Sequence, residues 1–238
     1  FTSNAATGTA SGGAIIIESI GTTISTTTFT NNTAANRGGG IQVAGGSLLL
    51  DGTSPSITFT GNTAVTAGGS ISTSSAVNLS GTNTTIGGDL EITTNGVWTN
   101  NIGSTMSPNN LIIIGTGSFT ANNSTTNVSG NFQFQSGTFN AGTGLFNFNG
   151  SGNQTINNSV AITFNNLTDS NTTQPLTINN NIAVNGTLNI NGANAALAPL
   201  AGTVVSGTGT LTGTGFARVT RTAATADFSS QYTITNKT

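Results

Sequence analysis

Phe29–Ile41 reads FTNNTAANRGGGI, and close variants stand at Phe1–Ile15 (FTSNAATGTASGGAI) and Phe59–Ile71 (FTGNTAVTAGGSI). The phenylalanines Phe1, Phe29 and Phe59 are 28 and 30 residues apart, and an asparagine follows each by three positions: Asn4, Asn32 and Asn62. A glycine pair comes next, read as Gly12-Gly13, Gly39-Gly40 and Gly68-Gly69, and then Ile15, Ile41 or Ile71. Self-similarity at a period between about 20 and 50 residues marks an architecture of stacked repeats.

Beyond residue 75 the wording changes and the grammar stays. Short apolar/polar alternations recur in FQFQ (132–135), LFNFNG (145–150), AITFNNLT (161–168), PLTINN (175–180) and IAVNGTLNING (182–192). Alternation with period two is strand periodicity, and the Gly, Asn, Asp and Ser between the runs are turn formers. The nearest approach to a helical pattern, NAALAPLAG (194–202), is broken by Pro199. The chain therefore reads as short strands and turns, which a sandwich, a barrel or a stacked solenoid could use.

Charge favours the solenoid. Only 4% of the 238 residues are charged, against about 25% in an average soluble domain. In a parallel β-helix each coil lies on the one below, and equivalent side chains pile up about 4.8 Å apart. Like charges in such a column repel, whereas Asn, Thr, Phe and Ile stack well. Disorder is the other reading of so polar a chain, but twelve phenylalanines and regularly placed Ile and Val argue for a core. The expectation is one right-handed parallel β-helix over residues 1–238, of about ten coils. Residues 1–75 form the Phe-x-x-Asn/Gly-Gly-x-Ile part, and residues 76–238 continue the same rod in a second repeat type.

Each residue of the repeat then has a task. The phenylalanines Phe1, Phe29 and Phe59 point inward and stack. The asparagines Asn4, Asn32 and Asn62 take the left-handed backbone of a corner and bond along the stack. The glycines, Gly13, Gly40 and Gly69 among them, make the next corner, where a Cβ would clash.

Residues 1–75 resemble the repeats of polymorphic outer-membrane proteins and related autotransporter passenger domains. The phrases GTFNAGTGLFNFNGSGNQTIN (137–157), NNIAVNGTLNING (180–192) and GTLTGTGFARVTRTAATADFSSQYTITNKT (209–238) resemble long repetitive secreted adhesins of gliding and biofilm-forming bacteria. The resemblance implies a right-handed parallel β-helix carried to the cell surface and acting as an adhesin or structural fibre. It brings no catalytic residues, and a translocator barrel of the autotransporter kind is not part of this sequence.

Composition narrows the chemistry. There is no His and no Cys, and the four basic residues cannot form a phosphate-binding stripe, so nucleic acid is excluded as a partner. No run approaches the roughly 18 apolar residues of a membrane span. No basic residue precedes an apolar stretch at the start, and the chain reads as a processed mature form or a cut from a longer protein. No cofactor or metal is expected. Asp89 and Glu91, two apart, would share a face in a strand and could serve a glycosidase or a calcium ion, but without a basic neighbour they read as solvated charges. Arg218, Arg221 and Asp227 read the same way, or as a device against edge pairing at an end coil. Trp98 and Tyr232 could stack on sugars and are read as packing.

Thr-Thr pairs at 84–85, 93–94, 125–126 and 172–173 raise ice binding, though at no single spacing. Asn31, Asn83, Asn123, Asn166 and Asn185 begin Asn-x-Ser/Thr triplets, which so Asn- and Thr-rich a chain produces freely. The leading expectation is a non-enzymatic extracellular structural segment. Its first coil, a full repeat without a cap, would pair with another coil, either of a second copy head to tail or of a longer chain. Two alternatives stand beside it: a β-helix that binds or cleaves surface glycans through Asp89, Glu91 and Trp98, and an ice-binding solenoid.

Overall fold

A computed structural model describes residues 1–53, 56–82, 84–220 and 228–237. The chain is an all-β parallel solenoid of about ten turns. Three faces wrap one interior. The first is a ten-stranded sheet running from Ile15–Ile17 to Phe216–Ala217. The second is a six-stranded sheet from Gly21–Ser25 to Thr138–Asn140, succeeded by a three-stranded one at Ile162–Phe164, Ile182–Val184 and Val205–Ser206. The third is a ten-stranded sheet from Thr28–Thr30 to Asn236–Lys237.

Alternation builds the interior. In Ser47–Gly52 every second residue is buried, and Leu48 and Leu50 point in. The same rule buries Phe132 and Phe134, Phe146 and Phe148, and Leu188 and Ile190. Because the strands are parallel and in register, inward residues fall into columns. One runs Ile15, Ile41, Ile71, Leu90, Leu111, Phe132, Ile156 and Ile178. The ladders on all three faces pass the junction near residue 75 without interruption, as in Ile71–Leu90 and Ala76–Val97.

The first three coils carry an extra piece. Between the third face and the first, the strands Ala5–Ala6, Thr33–Ala34 and Thr63–Ala64 form a three-stranded ridge found in no later coil among the described residues. Further along, NAALAPLAG holds the strand Ala196–Pro199, and the one helical turn of the described residues is Phe228–Gln231.

Candidate functional site

The repeat residues meet in three columns. Phe1 lies on Phe29 with ring centroids 5.1 Å apart and planes 4° from parallel, and Phe29 lies on Phe59 at 4.6 Å and 5°. Phe29 and Phe59 are fully buried, while Phe1, on the first coil, is 56% exposed.

The asparagines form an amide ladder. The side-chain oxygen of Asn32 accepts from the Asn4 Nδ2 at 2.8 Å and the Asn4 backbone N–H at 3.0 Å. Asn62 Oδ1 receives the same pair from Asn32. Asn32 Nδ2 also donates to Phe1 O and Asn62 Nδ2 to Phe29 O, tying the amides to the phenylalanine strand. The left-handed corner expected at these asparagines lies one residue earlier: Ser3, Asn31 and Gly61 have φ of 54°, 53° and 63°. That step frees Asn4, Asn32 and Asn62 to turn their amides inward.

The glycine register also differs from the expected one. Ile15, Ile41 and Ile71 pair, so Gly38-Gly39, not Gly39-Gly40, is the counterpart of Gly12-Gly13 and Gly68-Gly69. The spacing to isoleucine is then constant. Gly12, Gly38 and Gly68 need glycine for their φ of 69°, 66° and 67°. Gly13 and Gly39 need it for space, because a Cβ would approach the carbonyl oxygens of Gly39 and Gly69 to 2.1 and 2.3 Å. Gly69, where that column ends, would meet nothing closer than Asn62 O at 3.1 Å, and Gly40 has its own obstacle in Ser70 O at 2.7 Å.

Asp89, Glu91 and Trp98 do not converge. Asp89 precedes the strand Leu90–Ile92 and accepts from Asn109 Nδ2 (3.2 Å) and Asn110 Nδ2 (2.7 Å). Glu91 sits on the outer surface of the first face yet is 2% exposed, because Arg37 reaches over from the ridge to bind it at 2.7 Å; Ser72 Oγ donates to it as well. The basic partner missing from its sequence neighbourhood comes from 54 residues away (37 against 91). Trp98 is buried on the second face and donates Nε1–H to Asn100 Oδ1 at 2.7 Å. Tyr232 is buried as well, its one hydroxyl proton shared between Arg218 O at 2.9 Å and Leu197 O at 3.2 Å, and burial pushes that phenol up from its ordinary value. Arg221, Asp227 and Asn83 lie outside the described residues.

Arg37 lines a groove of about 410 Å³ between ridge and first face, bordered also by Ser11, Ile16, Gln42, Thr94 and Ile114. Gln42, 7% exposed, has no partner for its Oε1. The threonine pairs spread over several environments: Thr84 and Thr126 point inward, and Thr93 and Thr94 lie on another face. The outward column of the third face mixes residue types, Thr28, Thr58, Thr85 and Ser107, then Asn127, Asn147, Thr168, Asn189 and Thr212.

Sequence reasoning missed one group. Asp169 occupies an inward column between Phe148 and Ile190 and is fully buried. Its Oδ1 accepts the Asn171 N–H at 3.1 Å, while its Oδ2 has no partner. Burial raises its pKa to about 6, against the pull of the Asn171 and Ala196 backbone N–H groups. Strand alternation in NLTDS was the available signal, since it places Leu167 and Asp169 on one face. Among the described residues no cluster of three or more acidic side chains could hold a metal. Comparison with protein-family models, curated proteins and solved structures finds no match to this chain.

Proposed function

We propose that this chain is a non-enzymatic structural segment of an extracellular surface fibre or adhesin, joined to its neighbours by coil-on-coil stacking at the rod ends. The observation that carries this reading is the face of the first coil. The outer face of the Phe1 ring is open, Asn4 is the last member of the amide ladder, and Ala5–Ala6 pairs on one side. These groups are complementary to one more Phe-x-x-Asn coil. Such a coil would cover an apolar ring and saturate a row of backbone groups at once. The partner coil can belong to the same polypeptide or to a second copy, and in either case the free face of the isolated chain would accept another copy. The low charge supports it, since columns can continue across a joint without repulsion.

The test is sedimentation and electron microscopy of the purified 238-residue chain across concentration, beside a Phe1→Lys variant. Rods that lengthen with concentration, and shorten in the variant, are expected. Single rods of constant length at every concentration would overturn the reading. Two observations favour this reading over the alternatives: Trp98 is interior, away from Asp89, and the outward column of the third face mixes Thr with Ser and Asn among the described residues.

A further inference from the structure

The ridge ends in the middle of the rod, and its last strand is an open edge. In the first two coils the ridge carbonyls Asn4 O, Ala6 O, Asn32 O and Ala34 O accept the N–H groups of Thr33, Ala35, Thr63 and Val65. Their equivalents in the third coil, Asn62 O and Ala64 O, point in the same direction, and no fourth ridge strand follows among the described residues. A parallel strand turns alternate residues to each side, so the Ala64 N–H faces that way too.

The fourth coil explains the gap. It passes from Ile86 to Leu90 directly, whereas the third coil spends Phe59 to Ile71 on the same corner. What remains is a notch of about 360 Å³ bordered by Asn62, Thr63, Ala67, Asp89, Asn109 and Ile112. Val65, between the lining residues Ala64 and Thr66, is 82% exposed. Asp89 is held by two carboxamides, and the ion pair of the described residues is made by Glu91 instead.

We infer that this notch is a docking site for an extended segment of a partner polypeptide, which adds to Thr63–Ala64 as the missing fourth ridge strand. The ridge sets the partner's chemistry. It must supply backbone N–H groups at strand spacing to meet Asn62 O and Ala64 O. It must be small where the column Ala6, Ala34 and Ala64 runs on. It gains from a Lys or Arg that can reach Asp89, which lines the notch. Hydroxyls of a saccharide do not present donors in that row.

A suitable probe is the synthetic peptide Arg-Thr-Ala-Ala-Thr-Ala, a string this chain also writes at 221–226. Amide shifts of the ¹⁵N-labelled chain should move at Thr63–Ala67, Asp89 and Ile112 on titration. The variant Ala64→Pro removes the outward donor and leaves the Thr63 and Val65 bonds to the second coil in place; it should weaken binding at least about ten-fold. Asp89→Asn should weaken it about three-fold, and only for the peptide that carries arginine. Should Ala64→Pro not fold, Val65→Lys and Asp89→Asn carry the comparison. Shifts confined to the terminal strands Ala5–Ala6 and Asn236–Lys237, stronger shifts with a neutral oligosaccharide, or none at millimolar peptide would overturn the inference.

Discussion

The first three coils and the coils after them solve one stacking problem in two ways. Early coils advance by 26 and 30 residues between the paired isoleucines Ile15, Ile41 and Ile71; the next ones advance by 19, 21 and 21, to Leu90, Leu111 and Phe132. The early coils repeat identities: phenylalanine on phenylalanine, amide on amide, glycine on glycine. Later coils repeat direction and volume throughout and identity only locally, as where Phe119 lies on Phe139 and Asn127 on Asn147. The phenylalanine column continues from Phe59 as Ile86 and Pro108, and further on as Val128, Phe148, Asp169 and Ile190. A parallel stack thus needs the inward/outward pattern everywhere, and needs identity only where a ladder of side-chain bonds or a close backbone approach depends on it.

The sharpest way to break this comparison uses glycine. Gly39→Ala drives a Cβ to 2.3 Å from both Gly69 O and Thr63 O, backbone atoms that cannot step aside. A loss above about 4 kcal/mol, or failure to fold, is expected in denaturant unfolding. Gly88→Ala, at the short corner of the fourth coil, meets chiefly the Ser70 Oγ, which can rotate away, and should cost about 1 kcal/mol or less. Equal losses would remove the distinction between the two kinds of coil.

The buried acids give the next contrast. Glu91 is paired and Asp169 is not. Arg37→Met strands a carboxylate that is 2% exposed. The cost should be about 2–3 kcal/mol, below the full value for a buried pair because Arg37 is 30% exposed. The double variant Arg37→Met with Glu91→Gln should recover most of it; no recovery would assign the loss to the stem of Arg37 instead.

Asp169 acts in the opposite sense. Its folded-state pKa of about 6 exceeds its ordinary 3.8, so the folded chain holds the proton more tightly. The contribution of Asp169 to stability is greatest below pH about 4, falls as pH rises to about 6, and is flat above that, a change of up to about 3 kcal/mol. Asp169→Asn should flatten this slope. It should also raise stability at pH 7 by about 1–2 kcal/mol, less than the full amount because the new Nδ2 lacks an acceptor. Urea midpoints of the wild type and Asp169→Asn at pH 4 and pH 7 measure it, and a difference between the two chains that does not change with pH would refute it.

The smallest effect belongs to the outer column of the third face. Asn147 exchanges side-chain bonds with Asn127 at 3.0 Å and Ser170 at 2.8 Å. Asn147→Thr keeps a strand-forming residue at a half-exposed site and should cost about 0.5 kcal/mol. A loss near that of Arg37→Met would mean that later coils also depend on identity.

Much of this architecture was legible in the residues. Alternation placed Phe132, Phe134, Phe146 and Phe148 inside, and the 28- and 30-residue spacing put Phe1, Phe29 and Phe59 in one column. The candidate site was less legible. Arg37 and Glu91 are separated by two coils' worth of sequence, and spacing along the chain says nothing about a side chain crossing the ridge. In the run Gly38-Gly39-Gly40 three glycines compete for two positions, and the backbone pairing chose.

By itself, then, the sequence determined that coils form, which face of each strand turns inward, and that the opening repeats stack like on like, because period-two alternation and turn residues act within a few positions. Only the tertiary structure decided the register across coils, the pairing of Glu91, the burial of Asp169 and the open edge beside Asp89. Each of these depends on which coil lies next to which, and corners of unequal length hide that from any reading along the chain.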